Sequence, residues 1–428
     1  MVTTVRETGE IDLSDLNFWS LPPDRRLAAF ARLRERDRPA FFRELKMPFI
    51  RTGRGYYALT RHADVVEASR TPEVFSSEPS ATSIADLPRY MARYFGSMIN
   101  MDDPRHAKIR RIVSRAFTPR VLAKLDADLQ ATATRIVDDL RGKGSADFVT
   151  DVAARLPLEV ICDMMGIPGR LRPMVFQRTN IILGLGDPEY TGGKDLYRGD
   201  ITRIGVLYGL LQAMTAGYEL NHLAMKLARR RRRHPGDDLV SRLVTANVDG
   251  ESLTDQEIGS FFILLVVAGN ETTRNAMSHG LKLLTDNPEQ RALLTDDFDA
   301  HAPGAVEEIV RMATPVIQFR RTVTRDHEMN GQRYRAGDKV LLFYNSANRD
   351  ADVFTDPDVF DITRSPNPHV GFGGPGPHFC LGANLARQEI TVMFRELLTR
   401  VPEIRASNEP KMLYSHFING IKHLPCTF

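Results

Sequence analysis

Between Thr254 and Thr285 the sequence offers one uninterrupted helical pattern, and nothing else in the chain constrains the fold as strongly. Thr254-x-x-Glu257 is a capping box, in which threonine and glutamate side chains satisfy each other's backbone amides at a helix start. Pro288 sets the far limit. At 1.5 Å per residue the span is roughly 45 Å, so the helix must cross the whole molecule. A second helix is predicted to start near Cys380, with Ala386, Ile390, Met393 and Leu397 on one apolar face. Strands are few. Phe49–Arg51 and Tyr56–Thr60 flank Gly53-Arg54-Gly55 as a predicted hairpin. Asn330-Gly331 marks a tighter hairpin within a strand region from Arg320 to Phe343, because both residues tolerate positive φ. The expected fold class is mainly α with small β-sheets (α+β), the β-rich lobe lying at about 45–70 and 315–345. No repeat, low-complexity tract or long linker interrupts the chain, so one unit spanning residues 1–428 is expected.

With 428 residues, 42% of them hydrophobic, the chain can bury a large core. A formal net charge of +3 is too balanced to imply a nucleic-acid partner. Five consecutive arginines, Arg229–Arg233, could bind phosphates. His234-Pro-Gly-Asp-Asp238 dilutes that charge at once, and a solvated helix end is the expected role. Residues Met1–Leu13 are polar and mixed in charge, without the apolar stretch of a signal peptide. The longest apolar run, Phe261–Gly269, is about half the length a membrane span requires. It is expected inside a buried helix. Three cysteines, Cys162, Cys380 and Cys426, leave little room for a disulfide framework, so a reducing, cytoplasmic compartment is expected.

Four segments carry chemistry. Gly376-Pro-His-Phe-Cys380-Leu-Gly382 places a cysteine where a glycine-bracketed loop enters a helix. Helix-end amides and nearby cations lower a thiol's pKa there, although a lone cysteine is more often a buried structural residue. The overlapping Gly371-Phe-Gly373-Gly-Pro-Gly376 matches a dinucleotide-binding pattern, but that fingerprint needs a strand directly before it. Ser365-Pro-Asn-Pro368 stands there instead. Ala268-Gly-Asn-Glu271-Thr272-Thr273 interrupts the apolar run of the long helix, at a cost in stability unless these residues serve something. Gly269 would let a ligand lie against the helix, and Glu271 with Thr272 forms an acid–hydroxyl pair able to relay protons into a dry site. Glu308 and Arg311 share a helix face, a common surface pairing. Asp103-Pro104 opens a predicted helix on which His106 and Arg110 stand one turn apart. Two cations so placed could hold a dianionic ligand, or simply form a basic surface.

These segments, in this order and together with Arg321, Ala347-Asn-Arg-Asp350 and Ser415-His-Phe-Ile-Asn419, resemble the cytochrome P-450 family of haem-thiolate monooxygenases over nearly the whole chain. The resemblance implies the P-450 fold, with haem b (iron protoporphyrin IX) between the long helix and the cysteine loop. It implies that Cys380 is the axial thiolate on the haem iron and that Glu271 and Thr272 deliver protons. Ala268, Gly269, Phe372 and Gly382 match residues against the haem, and His106, Arg110, Arg321 and His378 match propionate-binding positions. Glu308 and Arg311, with Arg364, match a buried network that holds the proximal side together. Two departures are visible. Phe372 to Cys380 is one residue longer than the family's usual spacing, and Glu271 stands where many relatives carry aspartate, which keeps the acid and changes its reach.

A narrower resemblance rests on Tyr94-Phe-Gly-Ser-Met-Ile99, Ile161-Cys-Asp-Met-Met-Gly-Ile-Pro168 and the run from Phe261 to Thr273. These look like an actinobacterial branch that hydroxylates terminal methyls of methyl-branched fatty acids, isoprenoids and sterol side chains. The implied reaction takes dioxygen and a hydrophobic substrate, with Met98, Leu264, Val267, Val316, Phe319 and Phe417 as pocket residues that otherwise read as ordinary core. A polyketide or other secondary metabolite is the alternative substrate. No flavin or iron–sulfur segment accompanies these motifs, so electrons are expected from a separate ferredoxin and ferredoxin reductase docking on the cysteine side. A monomer is expected. A peroxide-driven peroxygenase would not need the Glu271–Thr272 pair, and a haem-based gas sensor would need an output domain.

Overall fold

The computed structural model describes residues 11–86, 91, 94–123, 125–191, 202–248 and 251–428, so most of the polar N-terminal stretch lies outside the described residues. The helices that frame the site are, in chain order, α1 (His62–Arg70), α2 (Arg105–Ser114), α3 (Arg155–Met164), α4 (Arg172–Leu183), α5 (Arg203–Arg233), α6 (Asp255–Asp286), α7 (Phe298–Ala313) and α8 (Ala383–Arg400).

α6 is the long helix that the sequence predicts. The Thr254 side chain accepts from the Glu257 amide, and the Glu257 carboxylate accepts from the Thr254 amide at 2.8 Å. The helix runs 32 residues and touches α3, α4, α5, α7 and α8. Being surrounded, it buries Phe261, Phe262 and Ile263 alike, which explains an apolar run without a polar face. Gly280 permits the closest of these contacts. A Cβ there would lie 2.8 Å from Phe394 of α8 and 3.2 Å from Ile309 of α7. Among the described residues no helix is long and apolar enough to cross a membrane.

The largest sheet has five strands, β1 (Ala40–Phe42), β2 (Tyr56–Leu59), β3 (Phe75–Ser76), β4 (Gln318–Val323) and β5 (Lys339–Phe343), in the order β1-β2-β5-β4-β3. β2 and β5 run parallel, and the other neighbours are antiparallel. The hairpin expected from Phe49–Arg51 does not form. β2 pairs instead with Ala40–Phe42, and Arg51 makes only an isolated bridge to Asp86. Phe49 takes φ 65° and points to solvent, which ends any extended run, whereas Ala40 and Phe42 face a core of Trp19, Phe30 and Phe343. The sheet therefore begins at Ala40, before residue 45, and the last nine residues of the expected 45–70 segment are α1. The Asn330-Gly331 turn forms as predicted, with φ 50° and 74°, joining His327–Met329 to Gln332–Tyr334. The three cysteines are free thiols.

Candidate active site

A cavity of about 1380 Å³, its open mouth included, lies between α6 and the loop that ends at Cys380. On α6 its wall is built by residues three and four apart, including Phe261, Leu264, Leu265, Ala268, Thr272 and Ala276. Phe372, Cys380, Leu381 and Gly382 face them from the loop. The loop is folded by its own backbone, the Gly373 amide donating to Val370 at 2.9 Å and the Cys380 amide to Phe372 at 2.9 Å. Phe372 thus reaches the cysteine despite the extra residue between them. Gly376 lets the loop press on α1, since a Cβ there would lie 2.2 Å from the Ser69 carbonyl oxygen. Gly382 is the opposite case. Nothing lies within 4 Å of where its Cβ would be, so open space is kept over the loop. The cysteine's accessible surface is cavity wall rather than outer surface. Enclosure by protein pushes the thiol pKa up, while the Gly382 amide and the guanidinium groups of Arg110 and Arg387 pull it down.

A second group collects at one side of the cavity. Arg110 of α2 donates to the Phe379 carbonyl at 2.6 Å. The ring of His106, one turn before it, lies 4.2 Å from that of His378, whose Nε2 sits 3.0 Å from Ser77 Oγ. Arg321 of β4 is buried beside them and donates to the Arg320 carbonyl at 2.8 Å. Burial, with the positive charges of Arg321, His106 and Arg110, drives the His378 pKa down to about 2. His106 Nε2 is buried with no hydrogen-bond partner among the described residues. Asp103 stands 3.2 Å from His106 Nδ1, but among the described residues no carboxylate pairs with Arg110 or Arg321, a costly arrangement that an anionic ligand would relieve.

Thr272 lines the cavity and donates through Oγ1 to the Ala268 carbonyl at 2.7 Å. Glu271 does not line it. Its carboxylate is buried behind the wall in an ion pair with Arg274, which in turn donates to Asn180 of α4 at 2.9 Å. Burial pushes the Glu271 pKa up, against the pull of Arg274. Gly269 has a second neighbour besides the cavity. Its backbone lines the cavity, but a Cβ would point at Ile161 of α3, 3.3 Å away, so the missing side chain serves helix packing. Of the expected pocket residues, Met98, Leu264, Val316 and Phe319 line the wall. Val267 does not, because it falls on another side of α6 and packs against the core. Phe417 stands behind Phe319, ring centroids 5.6 Å apart.

The Glu308–Arg311 pair is no surface pairing. Both side chains are fully buried, joined at 2.8 and 2.7 Å, and Arg311 also donates to the Asn348 and Pro357 carbonyls. Arg364 Nε stands 3.3 Å from Glu308, and Asn367 donates to it at 3.0 Å. Sequence reasoning missed Phe117, Ile161, Tyr344 and Glu389, which also line the cavity. Glu389 left a signal: it lies next to the apolar face of α8, where a carboxylate is out of place. It is buried against Thr273, and burial raises its pKa to about 8.

The family model described as cytochrome P450 matches residues 215–402. The chain is 49% identical, over 98% of its own length and 95% of the relative's, to a methyl-branched lipid omega-hydroxylase of Mycobacterium tuberculosis. The chain belongs to the cytochrome P450 family. This P450 is also 40% identical, over 86% of its length and 83% of the relative's, to a steroid C26-monooxygenase of Mycolicibacterium smegmatis. A Mycobacterium marinum cytochrome P450 solved in complex with pseudoionone superposes with a TM-score of 0.90 at 42% identity, over 99% of this chain and all of that one. The protein is thus a P450 monooxygenase that hydroxylates a hydrophobic substrate, and its cofactor is haem b. The residues present fit that group: a thiol on the loop, open space over Gly382, and two guanidinium groups, Arg110 and Arg321, without a carboxylate partner among the described residues, suited to two propionates.

Proposed function

We propose that this P450 hydroxylates the terminal methyl region of a methyl-branched fatty acid or isoprenoid lipid. The carrying observation is the 49% identity, across nearly the full length, to the methyl-branched lipid omega-hydroxylase, against 40% over a shorter stretch for the steroid enzyme. That second likeness makes a sterol side chain the alternative substrate. The apolar wall of Met98, Leu264, Val316 and Phe319 supports either. Such walls desolvate a lipid well but discriminate by only about 1–3 kcal/mol per methylene.

Cys380 would ligate the haem iron through its thiolate, and His106, Arg110, Arg321 and His378 would hold the propionates. When bound, the haem supplies dioxygen activation and oxidation of the C–H bond. Thr272 holds a proton at Oγ1 on the cavity wall and passes it inward. Glu271 resupplies that hydroxyl, leaving its ion pair with Arg274 to do so, and burial favours its protonated form against the pull of Arg274. The α6 wall excludes water and aims the substrate. The Glu308–Arg311–Arg364 network fixes the segment before the cysteine loop. Electrons come from a separate ferredoxin and its reductase on the cysteine side, and the chain works as a cytoplasmic monomer forming one catalytic unit.

An optical titration of the ferric holoprotein with methyl-branched fatty acids, acyclic isoprenoids, sterols and straight-chain fatty acids tests the substrate class. A low- to high-spin Soret shift at lower concentration for branched than for straight chains is expected, with terminal hydroxylation on turnover. Tightest response to sterols transfers the assignment to the side-chain reading. No shift with any of them removes the substrate claim.

A further inference from the structure

In the sequence Arg229–Arg233 stands alone; in the structure it ends a continuous outer face of α5. The inner face of this 31-residue helix packs on the protein through Gly209, Gly217, Leu220 and Leu227. A Cβ at Gly217 would lie 3.3 Å from Tyr94 and Phe95, just before Met98 in the cavity wall. At 3.6 residues per turn, Ile204, Leu207, Tyr208, Leu211 and Tyr218 project along one line, and Lys226, Arg229 and Arg233 continue it to the helix end. The apolar members are exposed, Ile204 by 80%, Leu211 by 58% and Tyr218 by 58%. Five of the ten exposed large hydrophobic residues among those described lie on this one face, which is clustering rather than scatter. Arg231 and Arg232 turn aside to Asp238 and Asp255. Arg229, Arg230 and Arg233 make no ion pair among the described residues.

We propose that this face of α5 docks the enzyme on a lipid bilayer containing anionic phospholipid, the apolar half settling at the acyl boundary and the arginines on the headgroups. Exposed apolar side chains gain from burial at the acyl boundary, and arginines on the same exposed side gain from anionic headgroups. A second copy of the chain fits poorly. Antiparallel pairing would set arginines on apolar side chains, and parallel pairing would set arginines on each other. A nucleic acid would have no use for the apolar half. Docking here would place the bilayer over the Tyr94–Met98 side of the cavity. That link to lipid supply rests on the substrate reading above, whereas docking itself does not.

The test is flotation of the full-length holoprotein with vesicles of phosphatidylcholine alone or mixed with phosphatidylglycerol. Binding to the mixed vesicles is expected, weakened by salt. It should fall about tenfold or more in Arg229→Glu/Arg233→Glu and in Leu207→Asp/Leu211→Asp. The Soret band of both variants should match that of the parent, showing intact folding. No binding by the parent, or equal binding by both variants, overturns the proposal. So does a dimer in gel filtration that Leu211→Asp dissociates while vesicles bind neither form. Because flotation involves no turnover, failure of the substrate assignment and failure of docking are read separately.

Discussion

A carboxyl group enclosed by protein keeps its proton well beyond the usual range, and Glu389 is the clearest case here, raised to about 8. The unfolded chain releases that proton near the ordinary carboxylate value. Between the two values the folded state holds the extra proton, so stability is fully present at low pH and is lost as pH rises toward 8. The slope is at most one proton, about 1.4 kcal/mol per pH unit. Thermal unfolding of holoprotein from about pH 5 to about pH 8.5 should therefore show a decline that Glu389→Gln reduces; equal slopes would refute the assignment. Thr272 makes a different prediction, because its hydroxyl faces the cavity while Glu271 stands behind the wall. In Thr272→Ala, product formed per electron consumed should drop about tenfold or more, with the substrate-induced spin shift retained. Unchanged coupling would move the proton route elsewhere.

Elements depend on a few contacts that cross between them. Arg311→Ala would leave the Glu308 carboxylate buried with Arg364, Asn367 and the Asp361 amide but without its bidentate partner, and should cost about 3–5 kcal/mol in chemical denaturation. Gly280→Ala should cost about 1–3 kcal/mol, since the added methyl meets Phe394 and Ile309 where three helices converge. A loss below half a kcal/mol in either would show that the neighbours relax freely. Signals within one element were readable in the sequence. The capping box at Thr254, the Asn330-Gly331 turn and the apolar face of α8 each depend on residues a few positions apart. Pairings between elements were not. Nothing near Tyr56 announced that its strand would bind Ala40–Phe42, and the choice was decided by which residues could face Trp19 and Phe343. That a side chain at Gly269 would meet Ile161 was not readable, because Ile161 lies more than a hundred residues away.

At the scale of the molecule the site is an assembly of distant segments. Arg110 and Phe379 meet across 269 positions, and the cationic cluster draws on α2, β4 and the cysteine loop. His106 and Arg110 show locally as a pair one turn apart, but no local pattern joins them to Arg321 and His378, which were legible only through the family's motif order. The off-wall positions of Val267 and Phe417 depend on side-chain packing that motif order does not carry. Cys380 joins the scales, being one residue that fixes one cofactor for the whole enzyme. The most direct test is the optical spectrum of the reduced, carbon-monoxide-treated holoprotein, compared with Cys380→Ala and Cys380→His. The parent should give the strongly red-shifted Soret band of thiolate-ligated haem, and both variants should lose it. A parent without that band after haem supplementation, or a Cys380→Ala protein that keeps it, would contradict the assignment of Cys380 as the haem ligand.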